Sequence, residues 1–125
     1  MNVRWLVLCV LAASATAPRA QDTNAYVGTW RAEFKTSAGA MREGKVVISE
    51  KSGSWDMALQ NRGNPCVGRA YPISIISATA DELSFSIDRA KTLAGCPDGL
   101  AKLKKVDDKT LEGEFDQTRF KLVRQ

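Results

Sequence analysis

The stretch Leu111–Arg124, LEGEFDQTRFKLVR, alternates in two halves about a polar centre. Leu111, Gly113 and Phe115 share one face, and Glu112, Glu114 and Asp116 share the other. Beyond Gln117-Thr118, Phe120, Leu122 and Arg124 lie on one face of a second run. Period two marks a strand with one dry and one wet side, and two such runs about a tight turn read as a hairpin. A two-residue loop at Gln117-Thr118 pairs Asp116 with Arg119, Phe115 with Phe120, Glu114 with Lys121 and Gly113 with Leu122. Outward pairs are then opposite in charge and inward pairs are apolar or glycine. A slip by one residue would bury the carboxylates, so the pattern fixes which side faces in. Gln-Thr is not a favoured dipeptide for the primed turns, and a loop longer by one or two residues is the alternative.

The same period recurs toward the N-terminus. Trp30, Ala32 and Phe34 alternate with Arg31, Glu33 and Lys35, and Gly44, Val46 and Ile48 with Lys45, Val47 and Ser49. After a turn at 51–54, Trp55, Met57 and Leu59 share a face. In 69–78 the inward set is Tyr71, Ile73 and Ile75, with Pro72 on the other face, which predicts an edge or a bend there. Leu83, Phe85 and Ile87 alternate with Ser84, Ser86 and Asp88. The stretch 89–95 reads as a short helical turn or loop, and Ala101, Leu103 and Val106 form a weaker strand. That makes eight candidate strands without a helix longer than a turn. Sequential hairpins close most simply into an eight-stranded antiparallel up-and-down β-barrel, which removes exposed edges; a two-sheet sandwich is the alternative.

Residues 1–20 read as a signal peptide. Arg4 is a short basic region, 5–13 (WLVLCVLAA) an apolar run, and 14–20 (SATAPRA) carries small residues with cleavage points after Ala15, Ala17 or Ala20. The expected mature domain is then 21–125, with no stable membrane span once the signal is removed, in the periplasm or outside the cell. Loss of Arg4 and Arg19 takes 18 basic residues to 16 against 14 acidic ones, so the mature chain is nearly neutral. Lys102, Lys104 and Lys105 are the one basic cluster and carry no interleaved aromatics, which gives no footprint for nucleic acid.

Cys9 falls within the discarded run, leaving Cys66 and Cys96 in a chain bound for an oxidising compartment. The expectation is one structural disulfide, each cysteine sitting among turn residues (NRGNPC at 61–66, GCPDG at 95–99). With about 30 residues in the closed loop, the chain-entropy model gives it roughly 3.5 kcal/mol.

Gly28-Thr29-Trp30 on the first strand resembles the G-x-W signature of the calycin superfamily, which includes lipocalins, fatty-acid-binding proteins and avidins. The resemblance implies a closed β-barrel in which a basic residue of the last strand packs across the tryptophan. Arg124 lies on the inward face at the end of the last strand, beside the start of the first, and is the residue that would cover Trp30. The resemblance is confined to the two ends of the chain. The chain is shorter than a typical lipocalin, has no helical lid, and retains only Trp30 and Trp55 after the signal, too few for an avidin-type cage.

The sequence contains no histidine, which excludes Ser-His-Asp and Cys-His catalysis, histidine-containing zinc sites and a histidine pH switch. Glu112 and Glu114 share a strand face, but a ladder with Arg119 and Lys121 accounts for them. Asp107-Asp108 reads as a turn, since a calcium site needs six to eight oxygen ligands. No enzyme activity, metal or cofactor is therefore expected. The leading functional expectation is a small exported binding protein of the bacterial envelope that recognises another protein, as an inhibitor or immunity-type partner does. The alternative is a carrier of a small apolar ligand at the barrel mouth, near Tyr26, Trp55 or Tyr71.

Overall fold

Each strand pairs antiparallel with its neighbours in the chain, and the last closes on the first, in a computed structural model that describes residues 24–36, 38–57 and 63–125. The order is β1 (Gly28–Lys35), β2 (Met41–Ile48), β3 (Ser52–Met57), β4 (Ala70–Ala78), β5 (Glu82–Ile87), α1 (Arg89–Thr92), β6 (Gly99–Asp107), β7 (Thr110–Phe115) and β8 (Thr118–Arg124). The fold is an all-β, eight-stranded up-and-down barrel, and the sandwich is excluded because β1 and β8 pair from Trp30↔Arg124 to Phe34↔Phe120. The expected signal segment 1–20 and Leu59 lie outside the described residues.

Alternation sets the inside and the outside. Trp30, Phe34, Ile48, Trp55, Met57, Tyr71, Ile73, Phe85, Ile87, Leu103, Phe120 and Leu122 are buried in one apolar core, and Phe115 packs against it partly exposed. The outer face carries the charges. Glu82, Lys104, Glu112, Lys121 and Glu33 stand side by side in register across five strands, alternating in sign, and Lys102, Glu114 and Arg119 form a second row. A barrel with a dry interior and a charged exterior is built to face water on its outside, the reverse of a lipid-spanning barrel. Among the described residues no helix is long and apolar enough to cross a membrane.

Two local readings are corrected. The last hairpin turns at Asp116-Gln117, not at Gln117-Thr118, so that Phe115 faces Thr118, Glu114 faces Arg119, Gly113 faces Phe120 and Glu112 faces Lys121. Both central residues have positive φ, 46° at Asp116 and 69° at Gln117, as a primed two-residue turn requires. Aspartate tolerates that region, whereas the β-branched Thr118 would not, and this moves the turn back by one residue. The pairing shifts by two positions, so every face is kept and opposite charges still meet.

Pro72 is not on an edge, because a closed barrel has none. It sits beside the end of β5, where Asp88 N donates to its carbonyl at 2.8 Å and the ladder stops, so the missing N–H interrupts nothing. Val106 belongs to β6 with Ala101 and Leu103, as expected, and faces out on the side of Lys104 with 57% of its surface exposed; a bulge between Lys105 and Asp107 makes it an extra residue against β7. A second bulge, between Ile75 and Ser77, does the same in β4, leaving Ile76 exposed and turning Ala78 inward.

The barrel closes tightly over Gly113. A Cβ there would stand 1.8 Å from the backbone oxygen of Lys102, so only glycine lets β6 and β7 approach as they do.

Candidate functional site

An up-and-down barrel has two ends. The β2–β3, β4–β5 and β6–β7 connections gather at one, here the base; the β1–β2, β3–β4, β5–β6 and β7–β8 connections gather at the other, here the mouth.

The base is sealed by Tyr26, Trp30 and Arg124. Trp30 Nε1 donates to the Tyr26 carbonyl at 2.9 Å, and the Tyr26 hydroxyl donates to the Thr79 carbonyl at 2.6 Å, tying the segment before β1 to the β4–β5 turn. The Arg124 guanidinium lies over the Trp30 ring, 4.2 Å from its centroid, and donates to the carbonyls of Val27 (2.9 Å), Ala25 (2.6 Å) and Asp108 (3.2 Å). Gly28, at φ 147°, passes directly beneath this guanidinium: a Cβ would stand 3.0 Å from Arg124 Nη1. Tyr26 and Trp30 are each 1% exposed, so the base presents no opening at them.

The mouth is open to a cavity of about 470 Å³ whose apolar lining includes Trp55, Met57, Tyr71 and Phe115. Its floor is solid. Trp55 contacts Phe115, Phe120 and Phe85 at ring-centroid distances of 4.8, 5.7 and 6.0 Å, and Phe115 contacts Phe120 and Phe34 at 5.0 and 5.6 Å. Most of these contacts are edge-to-face, the geometry in which aromatic quadrupoles attract. Rings therefore plug the barrel beneath the cavity, which is a vestibule and not a channel into the interior.

The rim of the vestibule is fastened covalently. Cys66, before β4, and Cys96, after α1, are joined in a disulfide with Cα atoms 5.6 Å apart. The Tyr71 hydroxyl donates to the Cys66 carbonyl, Asn64 Oδ1 accepts from Cys66 N at 3.0 Å, and Arg69 Nε donates to the Pro65 carbonyl at 3.0 Å. At the same rim Arg89 Nη1 pairs with Asp116 Oδ2 at 2.9 Å, and Asp116 Oδ1 accepts from Leu100 N at 3.3 Å. This clasp joins α1 to the β7–β8 turn across Gly99, where a Cβ would stand 2.8 Å from Arg89 Nη1.

Of the three residues expected near a ligand, the fold brings Trp55 and Tyr71 together in the vestibule and puts Tyr26 at the far end of the barrel. Arg69, Arg89 and Asp116 were not expected there. Their signal in the sequence is faint, since only the closure of the barrel brings positions 69, 89 and 116 to one rim.

A buried carboxylate lies on the outer wall. Asp88 is 7% exposed, and its two oxygens accept from Ser74 Oγ and Ser86 Oγ. Burial pushes its carboxyl up, but the two serine hydroxyls and the charge of Lys91 outweigh that and hold it below the usual carboxylate value. The alternation Ser84, Ser86, Asp88 is the trace of this cluster in the sequence. Its work is structural, since it holds the end of β5 to β4 where α1 begins. Among the described residues no group of three or more Asp, Glu or Cys is placed to hold a metal ion.

No family model matches this chain, and neither does any curated protein. Among solved structures it is similar to a redesigned β-barrel, with 13% sequence identity, a TM-score of 0.50, and coverage of 87% of this chain and 99% of that one. That likeness concerns the barrel fold alone.

Proposed function

We propose that this is an exported, non-catalytic binding protein of the cell envelope that recognises a partner protein through the mouth of its barrel. One observation carries the reading: the aromatic plug lies directly beneath a rim fixed by a disulfide. A filled interior cannot engulf a ligand, but a rigid apolar vestibule suits a side chain or chain end presented by another molecule. Export is supported by the Arg4 and 5–13 pattern and by the disulfide, which persists in oxidising compartments. Kinship with calycins is supported by Gly28-Thr29-Trp30 lying under Arg124.

A second reading has its own support. Trp55, Met57, Tyr71 and Phe115 offer walls for a small apolar ligand held at the mouth without entering the barrel.

The test is capture from an envelope extract of the host, using the mature chain and the variant Val67→Arg, since Val67 follows Cys66 and lines the vestibule. A protein retained by the parent and lost by the variant supports recognition at the mouth. Repeated capture of nothing, with a ligand-bound mass in native mass spectrometry of the protein purified from its host, overturns it in favour of the carrier.

A further inference from the structure

Resting on the mouth as the binding surface, we infer that the group it receives is a carboxylate carried on a compact apolar body. The residues lining the vestibule include two arginines, Arg69 and Arg89, and one acidic residue, Asp116. Among the described residues no carboxylate stands within ion-pair distance of Arg69, whose Nε is spent on the Pro65 carbonyl. Arg89 sits beside Tyr71 at the rim. Its guanidinium carbon lies 6.0 Å from the Tyr71 ring centroid, and its contacts with Asp116 and the Pro97 carbonyl run through Nη1. A guanidinium has five N–H donors in a planar fork, so Nε and Nη2 are left for an incoming acid.

The apolar half of the site lies next to these donors. Trp55, Tyr71 and Phe115 form a floor and wall that favour a ring or a branched aliphatic group. An amphiphile with a long tail does not fit, because the aromatic plug closes the barrel below. The occupant is therefore short, with its anion near the rim. Either a free acid or the end of a polypeptide has this chemistry.

Asp116 is the competitor. It shares Arg89 with any arriving carboxylate and repels it, so removal of its charge strengthens binding. Asparagine is at least as well suited as aspartate to a primed turn, so the hairpin survives the substitution Asp116→Asn.

The probes are hydrocinnamate and its neutral amide, titrated into the mature protein and followed by the indole resonance of Trp55. The acid is expected to bind about tenfold more tightly than the amide, as a charge-assisted pair at a partly dry site allows. Asp116→Asn is expected to widen that ratio several-fold, and Arg89→Gln and Arg69→Gln to narrow it. The same comparison between a peptide ending in phenylalanine carboxylate and its amide tells a chain end from a free acid. Equal binding of acid and amide in both pairs, or a ratio that Asp116→Asn leaves unchanged, overturns the inference. Neither result touches partner capture, which decides the mouth reading separately.

Discussion

The Arg124 guanidinium stacks on the Trp30 ring at 4.2 Å while its nitrogens hold three backbone carbonyls, so one side chain from the last strand seals the base over the first. Lysine keeps the charge but not the planar fork. Arg124→Lys is expected to cost about 1–2 kcal/mol, and Arg124→Ala more, read as a lower urea midpoint with unchanged slope. Parent-like melting of both variants would mean that the base is closed by something else.

The disulfide ties the β3–β4 loop to the segment after α1. Reduction, or the double change of Cys66 and Cys96 to serine, is expected to lower stability by roughly 3–4 kcal/mol. Thiol titration of the native protein should find neither cysteine reactive.

Two glycines with different surroundings make a paired test. At Gly113 a Cβ would collide with the Lys102 carbonyl, backbone that cannot swing away, so Gly113→Ala is expected to cost at least about 3 kcal/mol. At Gly39 nothing lies within 4 Å and φ is +82°, so Gly39→Ala should cost about 1 kcal/mol of backbone strain alone. Equilibrium denaturation of the two variants side by side checks the difference.

Gln117 adopts φ 69° in the last turn, a region that costs a side chain about 1 kcal/mol and costs glycine little. Gln117→Gly is therefore expected to stabilise the barrel by about 0.5–1 kcal/mol. If the turn were at Gln117-Thr118, Thr118→Gly would stabilise instead; in the observed register Thr118 opens β8 opposite Phe115, and its loss destabilises.

Asp88 has a lowered carboxyl value in the folded protein, so the unfolded chain takes up its proton first as pH falls. Its contribution is fully present above the usual carboxylate value of about 4 and is lost as pH drops through the lower folded value. Acid titration of stability should show this decline in the parent, and a flatter profile below about pH 4 in Asp88→Asn, which is less stable at neutral pH.

Some of this was readable from residue order alone. Alternation depends only on a backbone that points successive side chains to opposite faces, so Trp30 and Phe34, Phe85 and Ile87, and Phe120 and Leu122 could be placed inside without knowing what they touch. The pairing of Cys66 with Cys96 followed from a count of cysteines and the expectation of export. Register was less legible, because a shift by two positions keeps every face, and the hairpin satisfied its charges equally well at either turn. The choice fell to the φ angles that Asp116 and Gln117 can adopt. Bulges after Ile75 and Lys105 were hidden for a similar reason, since they answer to strand coiling around the closed barrel and not to local hydrophobicity.

The sequence by itself thus determined the strands, their faces and the covalent staple, each a property of near neighbours or of composition. Tertiary structure decided that the interior is plugged with rings, that Tyr26 and Tyr71 occupy opposite ends, and that Arg69, Arg89 and Asp116 share one rim. Those facts depend on the closed fold, which brings together residues far apart in the chain, Phe34 with Phe115 in the plug and Arg69 with Asp116 at the rim, and no local pattern encodes such a meeting.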